Sequence, residues 1–174
     1  MPRGPLLSCL NHHNCLHLPE DRIVDLSLRC NDDGTEHGDL CLCFAGQTQV
    51  CDSYYFAIDR GMRPDEESPA KVKAVLHRLL EQWLTTVANL PDGGTAFLPY
   101  DFSDQGTGWL RCERAGNEIV MSQGWSKVPG HSVFPSTVGD YLSNLPDFHV
   151  DGPTTKSSRE DLQQAIRASL LEEA

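Results

Sequence analysis

The feature that most constrains this chain is a stretch of apolar residues with helical spacing. Val72, Val75, Leu76, Leu79, Leu80, Trp83, Leu84 and Val87 recur three and four residues apart, so a helix over 69–89 gathers them on one broad face. Ser68 suits the N-cap, and Pro69 fits the first helical position, where its missing N–H needs no partner. The Pro-Asp-Gly-Gly run from Pro91 to Gly94 stops the helix. At ~1.5 Å per residue it would run roughly 30 Å, enough to cover a sheet. A helix this one-sided needs such a surface to bury against.

The surface is expected on either side of it. Val24, Leu26, Leu28 and Cys30 alternate with Asp25, Ser27 and Arg29, the pattern of a half-buried strand. Residues 31–34 supply turn chemistry, and 40–45 and 49–58 read as two further strands with Gly46 and Gln47 between them as a hairpin. After the helix, 95–98 reads as a short strand, 100–104 as a polar loop, and 109–114 with 118–123 as a hairpin around Ala115, Gly116 and Asn117. Residues 124–135 read as loop and 137–145 as a short helix. The order of strands, helix, strands and terminal helix predicts an α+β fold: an antiparallel or mixed β-sheet with one long helix packed on a face, and a C-terminal helix. Its parts are an irregular N-terminal segment (1–21), an α+β domain (22–150), a polar connector (151–156) and an amphipathic helix (157–174).

A length of 174 residues with 39% hydrophobic residues can build its own core. The formal charge of −11 repels phosphate backbones and anionic lipid, so nucleic acid and membrane surfaces are poor partners. No apolar run approaches the roughly 18 residues of a membrane span, and the N-terminus lacks the apolar region of a signal peptide, which suggests the cytoplasm. Seven cysteines are an odd number. Cys41 and Cys43 alternate as small strand hydrophobes would, and Cys112 faces the same way as Leu110, so reduced thiols are expected.

Three constellations could carry chemistry. Cys9, His12, Cys15 and His17 have the ligand types of a zinc site, yet a second, well-separated pair is missing unless Cys30 or Cys51 joins through the fold. A Cys/His nucleophilic pair lacks a sequence setting that would lower one thiol's pKa. Asp101 and Asp104 bracket Ser103 and could act as an acid/base pair, or could simply bond their own turn. Trp109 and Trp125 nearby read as core or interface anchors. Nucleophile-elbow, phosphate-loop and dinucleotide motifs are absent from the sequence. The expectation is a chain that is not an enzyme, with no cofactor and no metal.

The C-terminal segment is more specific. Ser157 and Glu160 form a capping-box pattern, Glu160 and Asp161 suit the first turn, and Leu162, Ala165, Ile166 and Ser169 share a helix face. Glu160, Asp161, Leu162, Ala165, Ser169 and Glu172 occupy the positions of a ubiquitin-interacting motif, which this helix resembles over about 15 residues, with a shorter acidic run than the family carries. The resemblance implies that Leu162, Ala165, Ile166, Ser169 and Glu172 meet a partner, ubiquitin, as a helix laid on an apolar patch. The same stripe could instead dock on the chain's own sheet.

The body carries a second likeness. Residues 97–104 (Phe-Leu-Pro-Tyr-Asp-Phe-Ser-Asp), Gly124 to Ser126, and Pro135 with Ser136 look similar to small acidic bacterial proteins grouped with toxin-neutralising immunity proteins. That would imply a non-enzymatic acidic surface fitted to a basic toxin-like protein. The expectation is therefore a protein-binding protein, with ubiquitin or a basic protein as partner.

Overall fold

The computed structural model describes residues 24–31, 37–56, 68–134, 143–145 and 147–173. The Cys9, His12, Cys15 and His17 set lies outside these residues, as does most of the helix expected at 137–145. The fold is α+β. Its first sheet is a meander of β1 (Leu26–Cys30), β2 (Leu40–Phe44) and β3 (Gln47–Cys51). The long helix α1 (Pro69–Asn89) follows. A second antiparallel sheet is built from β4 (Thr95–Phe102), β5 (Thr107–Ala115), β6 (Glu118–Ser126) and β7 (His149–Ser158), and α2 (Arg159–Glu172) closes the chain. Two sheets therefore replace the single sheet expected.

Local chemistry explains most boundaries. Helix α1 begins where its caps predict, with Ser68 Oγ accepting from Lys71 N at 3.2 Å. Val72, Val75, Leu76, Leu79, Leu80, Trp83 and Val87 are all buried. Each such side chain contributes about 1.5–3 kcal/mol by leaving water. Trp83 also satisfies its indole N–H, donating to the Pro99 carbonyl at 3.2 Å and pinning α1 to β4. The β2–β3 turn is Ala45-Gly46, both at positive φ (50° and 78°), as a two-residue hairpin turn of this hand requires. Asp25 grips it: its carbonyl accepts from Ala45 N and its carboxylate from Gly46 N. Strand β3 ends at Cys51 rather than running to residue 58, because Asp52 Oδ1 accepts from Tyr54 N at 2.7 Å and turns the chain.

In the second sheet the register places Ala96, Leu98, Leu110, Cys112, Ile119 and Met121 on one face, all buried in a core shared with both helices and the first sheet. The strand expected at 95–98 continues to Phe102, past a register shift between Pro99 and Asp101. Proline is tolerated at such a bulge on an edge strand. Residues 124–126 likewise belong to β6 rather than to a loop.

The C-terminal third departs most from the sequence reading. Residues 151–156 are not a connector but the middle of β7, paired antiparallel with β6. Most of this edge strand is exposed, so it lacks apolar alternation, and a second bulge accommodates Pro153. Helix α2 starts one residue later than the capping box suggests. Ser158 is the N-cap, accepting from Asp161 N at 3.1 Å and donating to Asp161 Oδ2 at 2.6 Å. The helix is not free-standing: it packs along α1 and β1. Its start is tied by Arg159 N to the Asn117 carbonyl at 2.9 Å, and its end by Cys30 N to Glu173 Oε1 at 2.9 Å.

Candidate functional site

The residues expected to meet a partner on α2 are mostly covered by the chain itself. Leu162, Ala165, Ile166 and Ser169 are buried, and the Ser169 hydroxyl donates back to the Ala165 carbonyl at 3.3 Å. Glu172 stays exposed at the rim of a groove of about 720 Å³. Cys30, Asn31, Asp39, Pro69, Lys73 and Glu173 also line this groove. Two of its polar groups are engaged inside the protein, Cys30 N with Glu173 and Asn31 Nδ2 with the Gly38 carbonyl at 2.8 Å.

A better-furnished surface lies at the seam where the end of β4 meets the segment after β3. Phe102 N donates to the Asp52 carbonyl at 2.7 Å, and Tyr55 N donates to the Phe102 carbonyl at 3.3 Å, stitching the two sheets together. The 3-10 turn Gly130–Ser132 is drawn in by Gly130 N, which donates to the Ser103 carbonyl at 2.7 Å. Only glycine fits there, because a Cβ on Gly130 would lie 2.6 Å from that oxygen. On the other side, Ser53 N donates to the His37 carbonyl at 2.7 Å, while Ser53 Oγ lies 2.6 Å from Asp39 Oδ2.

These backbone ties bring together four rings from three separate segments. His37 and Tyr54 meet edge to face with centroids 4.7 Å apart, Tyr54 and Tyr55 at 4.6 Å, and Tyr55 and His131 at 5.4 Å. Tyr54 is 47% exposed despite these contacts. Such rings present a large contact area that loses little conformational entropy on binding, the usual character of interface anchors.

Carboxylates border the rings. Asp101 is half-buried, and burial raises its pKa to about 6, with the Asp52 carboxylate adding to the rise and the Asp52 backbone N–H partly offsetting it. Among the described residues no lysine or arginine pairs with either carboxylate. Behind them, burial pushes the Tyr100 phenol up, and the charges of Asp101 and Asp151 act in the same direction. Gln123 Nε2 donates to Tyr100 Oη at 3.1 Å and to Gln49 Oε1 at 2.7 Å, fixing this wall of the seam.

Asp101 therefore has a carboxylate neighbour, but the neighbour is Asp52 rather than the Asp104 considered from sequence. Trp109 is a core residue, fully buried, and Cys112 sits with Leu110 in the core, where burial pushes its thiol up to about 12. Among the described residues, Cys41, Cys43, Cys51 and Cys112 form no disulfide. Cys41 and Cys43 are buried, as small strand hydrophobes would be, but on the other side of β2 from the main core cluster. Leu40, Leu42 and Phe44 take the core face of β2, leaving both thiols on the opposite one. Among the described residues no group of three or more His, Cys, Asp or Glu could hold a metal ion, and no helix is long and apolar enough to cross a membrane.

No protein-family model, curated protein or solved structure matches this chain.

Proposed function

We propose that this chain is a non-catalytic binding protein that engages a basic protein partner through the seam of His37, Asp52, Tyr54, Tyr55, Asp101 and His131. The observation that carries the reading is Asp101: a half-buried carboxylate set against a second carboxylate, with no cation beside either among the described residues. A lysine or arginine from a partner would relieve this repulsion and gain a charge-assisted hydrogen bond in a partly desolvated place. The exposed Tyr54 ring supplies the adjoining apolar contact. The net charge of −11 steers a basic partner toward the surface. This is the partner class that the likeness to immunity-type proteins implies. Ubiquitin binding through Leu162, Ala165, Ile166 and Ser169 is the weaker reading, since it requires α2 to leave α1 and β1.

Calorimetric titration with an arginine-rich peptide as the probe tests the proposal. Binding is expected to weaken with salt, to fall at least fivefold in Tyr54→Ala and Asp101→Asn, and to be unchanged in Glu160→Gln on α2. Equal losses in all three variants, or none, would reduce the interaction to diffuse attraction by an acidic protein and overturn the reading.

A further inference from the structure

The ring row of the seam ends in a histidine on either side. His37 is half-buried against Tyr54, and His131 is exposed against Tyr55. Their imidazole centroids lie 4.7 and 5.4 Å from the two tyrosine rings, with the planes crossed at 83° and 72°. Both distances are inside the ~6 Å at which an aromatic ring holds a cation. Histidine is the side chain that gains its charge in mild acid. Once protonated, each imidazole is itself a cation seated on a ring that a partner's cation would otherwise use.

The charged groups around this row are nearly all acidic. His37 shares its segment with Asp39, whose Oδ2 lies 2.6 Å from Ser53 Oγ. The segment after β3 adds Asp52, and β4 adds Asp101, with the exposed Asp104 beyond it. Burial pushes up the Tyr100 phenol and the Cys51 thiol behind Asp101, so neither ionises in mild acid. His131 sits on the turn bonded to the Ser103 carbonyl, and the nearest cation along its chain is Lys127, exposed just past β6.

We propose that the seam is a pH-gated surface, in which protonated His37 and His131 displace a basic partner by competing for its tyrosine rings and carboxylates. This gate presupposes the binding proposed above and supplies its regulation. Neutral histidines leave the rings and the carboxylates to the partner. Charged ones repel it and offset the acidic groups beside them. Asp101 acts in the same direction. Burial, with the Asp52 carboxylate adding to it, raises Asp101 to about 6, so it takes up a proton over the same range and loses the charge that attracts the partner.

The test is calorimetric titration of the whole chain with an arginine-rich peptide at about pH 7.5 and about pH 5.5, at fixed ionic strength. The guanidinium stays charged throughout, so any change belongs to the protein. Affinity is expected to fall about thirtyfold between the two in the wild type, and only about threefold in the double variant H37Q/H131Q. His77→Gln, at an exposed position on α1 beside Glu81, is expected to follow the wild type. An equal fall in the double variant would assign the loss to overall charge, overturning the gate and leaving the binding reading in place. No binding at either pH would overturn both.

A second readout uses the unmutated protein. By linkage, bound peptide must move the titration midpoints of both imidazoles, followed by their ring carbon shifts, to lower pH, by roughly 0.5 each when a tenfold loss is shared between two sites. Midpoints unmoved by bound peptide would overturn the gate whether or not the double variant folds.

Discussion

At Asp101, burial and the neighbouring Asp52 both oppose ionisation, so the folded-state pKa stands at about 6 against the ordinary 3.8. The sign follows from linkage. The folded state binds the proton more tightly than the unfolded one, so stability is lost as pH rises from about 4 through 6, and the whole penalty is present above that. Asp101→Asn keeps an acceptor for the Asp52 N–H and removes the charge. Denaturant unfolding should show it more stable than wild type by on the order of 2 kcal/mol at pH 7.5, with the difference gone near pH 3.5. Lys71 offers a parallel case in α1: its ammonium is buried without a hydrogen-bond partner. Lys71→Met preserves the length of the side chain and removes that burden. A gain of about 1–3 kcal/mol is expected in the same measurement.

Among the elements, α2 and α1 differ in how far the sequence specifies them. Helix α1 was legible because its cap, its proline and its apolar face are all local signals, and they agree. Helix α2 was legible as a helix but not as a core element, since one apolar stripe serves equally for self-docking and for a partner. What decides is nonlocal: α2 packs on α1 and β1, and Leu162, Ala165, Ile166 and Ser169 are buried. Ala165→Gln should therefore destabilise the protein by about 2–4 kcal/mol through overpacking and a buried amide, read as a lowered melting temperature. A chain ended at Ser158 should fail to fold, shown by loss of the dispersed amide spectrum. A soluble, unchanged body after that truncation would mean that α2 is an appendage after all. Strand β7 was hidden for a different reason, because an exposed edge strand is defined by backbone pairing and not by side-chain pattern.

At the scale of the molecule, the fold class could be read from the order of elements, but the site could not. Asp52 and Asp101 meet only because the end of β4 bonds to the segment after β3, and no spacing in the sequence encodes that meeting. The ring contacts of His37, Tyr54, Tyr55 and His131 likewise arise from three loops that only the assembled sheets bring together. Cys41 and Cys43 were legible as neighbours on one face, while the identity of that face depended on which side α1 and α2 occupy. The surfaces are thus divided: α2 buries its apolar face in the core, and the seam is the surface that the proposed function gives to a partner. Amide chemical-shift mapping tests this directly, with ubiquitin and the arginine-rich peptide titrated separately into the labelled chain. The prediction is shifts at residues 37, 52–55, 101–103 and 131 with the peptide, and none along 162–169 with ubiquitin. Saturable shifts along 162–169 with an unmoved seam would contradict it.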